Sequence, residues 1–428
     1  MFKTIIRNFL AFVSLLCCLT GIWLVGRAGL TRTLTEYVLK ANFIDPANAP
    51  STLPAANMVV SLSPSDPEAH HARGIALSNT EQFDEAIQEL ERATSLRPRH
   101  YLLWMKLGSA REQNGDQQGA VAAFSESVRL APLYAQPRWE LGNALFRMGR
   151  AGEAFEEMRR SAASDPTLLP LLIDLAWGAY GDDAQSVLNA INPQTNSARM
   201  ALARSFAKRG NTSESIKLFR ASGGASAAER RSLISELINS KRFAEAYKVW
   251  SSGQNNVESK SGTATINDPG FEGRISFNDP GFGWQPRPAN QTLNVSLDTE
   301  NPHGGAQALR LHWSGDSNPS TPALTQLILV EPNKRYQLGF WGRTHEIVTG
   351  GLPLVVVKDA NSSDGRVLGQ SSMLSQGTSG WQHYVVDFST ADQATAILIV
   401  LQRQNCSSGP CPIFGRLWLD EFSLSNRP

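Results

Sequence analysis

Pro64, Pro98, Pro132 and Pro166 stand 34 residues apart, and Gly74, Gly108 and Gly142 repeat at the same interval, as do Ala86, Ala120 and Ala154. Three residue types held in one register mean repetition of a structural unit, and a unit this short cannot bury its apolar face alone. The chain over 31–252 is therefore expected to be a stack of helical repeats. In the middle unit Trp104, Leu107 and Arg111 share one helix face, Gly115-Asp116 breaks it, and Ala120, Phe124 and Ser127 begin the next. The glycine at the eighth position and the alanine at the twentieth let paired helices approach closely. The terminal proline lacks a backbone donor and stops the second helix.

This pattern resembles the tetratricopeptide repeat, with full units at 67–100, 101–134 and 135–168; Trp104, Leu107, Gly108, Ala120, Phe124 and Pro132 occupy that family's positions. Leu202, Phe206, Gly210, Ser215 and Phe219 keep the internal offsets, as do Leu233, Leu237, Phe243, Ala246 and Trp250. A shortened unit lies between Leu169 and Pro193, and Ala56, Val59 and Pro64 read as the second helix of an imperfect first unit, giving about six units in all. The resemblance implies a superhelix whose first helices line a concave groove for a peptide or a partner helix. Its groove-facing positions are His71, Ile75 and Ser78, then Met105, Ser109 and Glu112, then Trp139, Asn143, Phe146 and Arg147. Family members that grip a C-terminal carboxylate use a Lys and Asn pair followed by basic residues; only Asn143 fits, so that clamp is not expected. Trp139 and Phe146 have two readings, as exposed anchors or as packing against the next unit. His70 and His71 are adjacent on a helix and point apart, which argues against a metal site.

Ahead of the repeats, Phe9 to Gly26 carry no charge and end at Arg27. These 18 residues roughly span a bilayer core. A cleavable signal peptide has a shorter apolar region, of about 7 to 15 residues, so 1–30 reads as an uncleaved membrane anchor; if it were cleaved, the chain would be secreted. Lysine plus arginine total 40 against 39 for aspartate plus glutamate. That balance lacks the basic footprint of a nucleic-acid protein. A hydrophobic content of 41% excludes wholesale disorder.

A polar linker is expected over 253–265. Beyond it, over 266–428, apolar residues alternate in short runs broken by Gly, Pro, Asn and Asp, as in an all-β sandwich. Leu309, Leu311 and Trp313 share one face of a strand and Tyr336, Leu338 and Phe340 one face of another; a last strand over 417–424 is expected to pair near the first. Asn267 with Phe271-Glu272, Trp284, the run from Gly305 to Leu311, Pro332 with Tyr336 and Phe340, Gly380-Trp381 and Trp418-Leu419-Asp420 together resemble the jelly-roll carbohydrate-binding modules. The resemblance implies a sugar site, and alternation puts Trp341, Arg343, Arg310 and His312 on the outward side, with Gln326 beside them; Trp341 packed under a loop is the alternative. It also implies a structural calcium at Glu272 and Asp420. No other cofactor is expected.

Cys406 and Cys411 flank a short polar loop at a spacing that suits a disulfide, which persists in oxidising compartments. The bulk of the chain is then expected in the periplasm or outside the cell. No Gly-rich phosphate loop, Gly-x-Ser-x-Gly elbow or His-Glu-x-x-His pair occurs, so no catalytic centre is expected. The expected function is a non-catalytic, membrane-anchored scaffold of the bacterial envelope. It binds a protein partner through the repeats and a glycan through the β domain, in polysaccharide synthesis or export. An accessory glycan-binding or glycan-processing protein with the repeats as spacer is the alternative.

Overall fold

The computed structural model describes residues 2–45, 47, 49–253, 264–287, 292–406 and 410–427, with side chains from residue 12 onward. Fourteen α-helices precede ten β-strands among the described residues. The chain divides into two compact units, Met1–Asn192 and Pro193–Pro428.

In the first unit α1 (Phe2–Ile44) and α2 (Ala49–Leu62) are followed by the pairs α3 (Pro67–Asn79) and α4 (Phe83–Leu96), α5 (Tyr101–Gln113) and α6 (Gln117–Leu130), α7 (Ala135–Arg147) and α8 (Ala151–Ser164), and α9 (Leu169–Tyr180) and α10 (Ala184–Ile191). Asp66, Asp116 and Asp183 cap α3, α6 and α10 by accepting free backbone amides of the first turn. The anchor expected at 1–30 is part of a longer helix, since α1 runs unbroken to Ile44. Its segment Phe12–Ile44 is long and apolar enough to cross a membrane. Thr31, Thr35, Val38 and Asn42 are buried along one stripe of it. Val38 packs with Ala56 of α2 and with Ala72 and Ala76 of α3, and Asn42 donates to Thr52 Oγ1 at 2.8 Å. The end of α1 is thus the first helix of the imperfect first repeat.

The repeat register has a steric cause. A Cβ added at Gly74 would lie 2.7 Å from Leu90, at Gly108 2.7 Å from the Phe124 ring, and at Gly142 2.6 Å from Met158. Each pair joins the eighth and the twenty-fourth positions of one unit. A second repeated bond joins successive units through dissimilar residues: His70 Nε2, Trp104 Nε1 and Arg138 Nε meet the carbonyls of Pro64, Pro98 and Pro132 at 3.0, 2.8 and 3.0 Å. His70 also contacts Glu89 through Nδ1 at 2.6 Å, so it is a structural residue.

The second unit holds α11 (Asn196–Lys208), α12 (Thr212–Ala221), α13 (Ala227–Asn239) and α14 (Phe243–Ser251), then the β domain. The described residues therefore contain seven helix pairs where the sequence led to about six. The linker expected over 253–265 lies, from 254 to 263, outside the described residues. Trp250 of α14 donates to Asp279 at 2.8 Å, Tyr247 and Trp250 pack on Phe282, and Lys241 donates to the Ala360 carbonyl at 2.7 Å. These contacts hold the last helices against the β domain.

The strands are β1 (Gln285–Pro286), β2 (Leu293–Asp298), β3 (Ala308–Asp316), β4 (Leu324–Leu329), β5 (Arg335–Thr349), β6 (Pro353–Asp359), β7 (Val367–Gln370), β8 (Gly377–Ser389), β9 (Ala396–Arg403) and β10 (Pro412–Arg427). They form two antiparallel five-stranded sheets, ordered β1-β4-β9-β6-β7 and β2-β3-β10-β5-β8. Leu309, Leu311, Trp313, Tyr336, Leu338 and Phe340 face Ile397, Ile399 and Leu401 across a common core. The last strand pairs with β3 and β5 in the middle of its sheet, not with the first strand. The entering segment still reaches it, because Phe422 N donates to the Pro269 carbonyl at 2.8 Å. Cys406 and Cys411 are joined by a disulfide with their Cα atoms 5.6 Å apart.

Candidate functional site: the face of α5 and α7

The groove positions named from the repeat register separate into two groups. His71 and Met105 are buried, which corrects their placement in an open groove. Met105 belongs to the cluster of Phe124, Leu141, Ala144 and Leu145, so the neighbouring unit covers it. His71 Nδ1 lies 3.4 Å from Glu68, whose carboxyl is held below its usual range by that bond, with the charges of His71, Arg97 and His100 adding to it against the cost of burial. Ile75, Ser78 and Ser109 are half-buried, and Ser109 turns its hydroxyl to the Met105 carbonyl at 3.1 Å.

The pair α5 and α7 presents the remaining groove residues. Phe146 is half-buried and meets Phe155 of α8 edge-on, with ring centroids 6.0 Å apart, so its role is packing. Trp139 and Asn143, one turn apart on α7, are half-buried, and neither has a hydrogen-bond or ring partner among the described residues. An indole N–H and a primary amide left free on one helix face suit a peptide: the amide offers a donor and an acceptor to one peptide unit, and the indole offers apolar area with one donor. Arg147 and Glu112 close one end by an ion pair of 2.6 Å between the two helices.

Glu140, on the same helix, has no hydrogen-bond partner among the described residues. Burial pushes its carboxyl above the usual range, Glu112 adds to the shift, and Lys106 and Arg147 oppose it. The charged form is the costly one, so the folded chain takes up this proton at a higher pH than the unfolded chain does. The destabilisation is complete above the raised folded value and is relieved as pH falls toward the unfolded one. Glu140→Gln is expected to raise the melting temperature near pH ~7.5 and to lose that advantage near pH ~4. Identical melting curves for both proteins at both pH values would overturn this account.

On the β domain, Trp341 and Arg343 of β5 face outward, as alternation requires, but β10 separates them from Arg310 and His312 of β3. Trp418 of β10 stands directly between Arg310 and Arg343. The Arg343 guanidinium lies 4.2 Å over the Trp418 ring and 5.2 Å from that of Trp381. Trp418 Nε1 donates to Asp298 at 2.8 Å, and Arg310 pairs with the same carboxylate at 3.2 Å. Burial raises the Asp298 carboxyl, yet the Trp418 bond, the Glu300 amide and the two arginine charges bring it below its usual range. The stacking position over Trp341 is filled by His303, with ring centroids 3.8 Å apart and Glu421 holding the imidazole at 2.5 Å. His312 is exposed, whereas Gln326 is fully buried on β4 of the other sheet and donates to the Asn267 carbonyl at 2.8 Å. It is not part of this face, a correction that follows from sheet membership, which alternation within one strand does not reveal.

Glu272 and Asp420 do not fit a calcium. Asp420 accepts the amides of His303, Gly304 and Glu421, and Glu272 accepts that of Ala306. A calcium wants six to eight oxygens, whereas these carboxylates face N–H donors. No group of three or more His, Cys, Asp or Glu side chains suited to a metal occurs among the described residues.

Residues 71–135 match the tetratricopeptide repeat family. This chain carries tetratricopeptide repeats. It is 27% identical over 132 residues to the peroxisomal targeting signal receptor of Candida albicans, covering 31% of this chain and 20% of that receptor. It is 28% identical over 143 residues to Protein FlbA of Caulobacter vibrioides, covering 32% of this chain and 24% of FlbA. The match therefore spans a quarter or less of either relative. Among solved structures, MamA from Desulfovibrio magneticus RS-1 is 21% identical with a TM-score of 0.34, covering 42% of this chain and 96% of MamA. The structure of Pseudomonas aeruginosa pilF is 15% identical with a TM-score of 0.31, covering 53% of this chain and 91% of that one. Tetratricopeptide-repeat proteins mediate protein–protein interaction, and α5 and α7 of this chain lie in the matched segment and beside it.

Proposed function

We propose that this chain is a non-catalytic adaptor that captures a protein partner on the face of α5 and α7, with Trp139 as the anchor and Asn143 bonding the partner's backbone. The observation that carries the reading is the pair of unpartnered polar groups on that face, in a segment otherwise closely packed. A partner segment from a peptide or an exposed helix fits such a site, and the receptor relatives are named for a targeting signal.

The finer setting rests on three features. The apolar part of α1 supports a membrane anchor, the disulfide between Cys406 and Cys411 supports an oxidising compartment for the β domain, and the jelly-roll resemblance is the support for a role in envelope polysaccharide synthesis or export. A glycan reaching Trp341 displaces His303 from the ring.

A photo-reactive phenylalanine analogue at position 143, with the exposed Ser125 of α6 as the control position, tests the proposal in cells. Strong cross-linking from 143 alone, to an envelope protein exposed outside the cytoplasm, is the expected result. Equal yields from both positions would remove the groove, and cross-links to cytoplasmic proteins alone would reverse the topology.

A further inference from the structure

Packing of the end of α1 into the first repeat fixes the direction in which its apolar part leaves the array. Arg27 donates to the carbonyl of Leu62, the last residue of α2, whereas Asn42 donates to Thr52 near the start of α2 and accepts from Asn79 at the end of α3. The helix therefore runs antiparallel to α2 and emerges where α2 stops and α3 begins. Residues 27–44 lie along the repeats, and residues 2–26 continue past them for about 38 Å at about 1.5 Å per residue. That length exceeds a hydrocarbon core of about 30 Å. Leu16, Leu19, Ile22 and Val25 are exposed on the protruding part. Where it emerges, the Arg27 guanidinium lies 5.1 Å over the Trp23 ring, a residue pair suited to a membrane–water boundary.

The connections between successive repeat units lie at that same end. Arg97, just after α4, pairs with Glu68 in the first turn of α3 at 2.5 Å. Ser127 in the last turn of α6 donates to the Tyr101 carbonyl at the start of α5, and Ser161 of α8 donates to that of Ala135 at the start of α7. The rings of Tyr101 and Tyr134, from neighbouring connections, are 5.1 Å apart and carry the rim from one unit to the next. On this rim Leu133 is 83% exposed and Tyr134 58%. Arg99 is exposed without an ion-pair partner among the described residues. The carboxylates of the rim are engaged: Asp66 and Asp165 accept amides at helix starts, and Glu68 is paired with Arg97. An exposed leucine and tyrosine with a free arginine match the layers of a bilayer surface. The leucine enters the acyl chains, the phenol sits at headgroup level and the guanidinium meets phosphate.

We propose that the rim of inter-unit connections rests on the surface of the bilayer that α1 crosses, with Leu133 and Tyr134 inserted and Arg99 against lipid phosphate. The inference rests on the reading of α1 as a membrane anchor. The repeat helices then stand on the membrane by their connected ends.

The test places the fluorescent amino acid acridonylalanine at position 134, 118 or 19 of the full chain, reconstituted in phosphatidylcholine–phosphatidylglycerol vesicles whose lipids carry a nitroxide quencher on the acyl chain. Gln118 is exposed in the first turn of α6, at the opposite end of the array. Quenching is expected at 19 and at 134, the latter at least about twofold that at 118. Leu133→Asp is expected to cut quenching at 134 by at least about twofold and to leave the melting temperature unchanged, because that side chain is mostly in solvent. Quenching at 19 with 134 no stronger than 118 would overturn the rim proposal and leave the anchor standing. Quenching at 134 without 19 would keep the rim on the lipid and overturn the anchor, and quenching at neither would overturn both. A signal at 134 indifferent to Leu133→Asp would also overturn the proposal.

Discussion

Replacing Phe124 with alanine is expected to cost about 3–5 kcal/mol, among the largest effects of any single truncation in the repeats. Its ring is fully buried and is the surface against which Gly108 closes. The same ring joins Met105 and Ala120 to Leu141, Ala144, Leu145 and Ala154 of the next unit. One truncation therefore opens a cavity inside a unit and loosens its junction with its neighbour. In a repeat array stability is a sum of unit and nearest-neighbour terms, so denaturant unfolding should become less cooperative as well as earlier. A companion variant makes the argument specific. Gly108→Ala alone places a methyl 2.7 Å from the ring and is expected to destabilise the chain, whereas in the Phe124→Ala background that methyl enters vacated space. The double variant should be more stable than the sum of the two changes implies. Additive losses would show that the two residues do not set the helix spacing together.

How far the sequence could be read depended on whether a constraint was local to the register. Gly74, Gly108 and Gly142 recur because a Cβ at each would collide with the side chain sixteen residues on, so packing left a mark at a fixed interval. The bond from each unit to the preceding proline carbonyl left no such mark, since His70, Trp104 and Arg138 make it with unlike side chains. Met105 shows the opposite failure. Its repeat position suggested an open groove, but burial is decided by Leu141 and Leu145 of the following unit. In the β domain, alternation correctly separated Tyr336, Leu338 and Phe340 from Trp341 and Arg343. It could not reveal that β10 inserts between β3 and β5, that Gln326 belongs to the other sheet, or that a loop residue, His303, covers Trp341. Those facts depend on strand order and loop placement. The junction of α1 with the first repeat is not legible in the sequence, because the buried stripe Thr31, Thr35, Val38 and Asn42 is too polar to stand out.

Trp139 and Phe146 occupy the same side of α7 two turns apart, and their alanine variants are expected to fail in different ways. Trp139 lacks a ring or hydrogen-bond partner among the described residues, so its removal exposes little new core and should leave the melting temperature nearly unchanged. If it anchors the partner identified by cross-linking at position 143, its loss should weaken that complex by at least about 2 kcal/mol, or roughly 30-fold in Kd. Phe146 instead packs edge-on against Phe155, which is itself buried and in contact with Tyr180 of α9. Phe146→Ala should therefore cost about 2 kcal/mol of folding stability and propagate toward the α9 pair, with binding affected only as far as the array loosens. Binding by isothermal calorimetry and thermal unfolding on the same preparations separate the two. A Trp139→Ala protein that melts early but binds normally would assign that indole to the core and leave Asn143 as the sole free group on the face. The free face would then be too polar for a hot spot, because anchors of that strength are large aromatic or arginine side chains desolvated on binding.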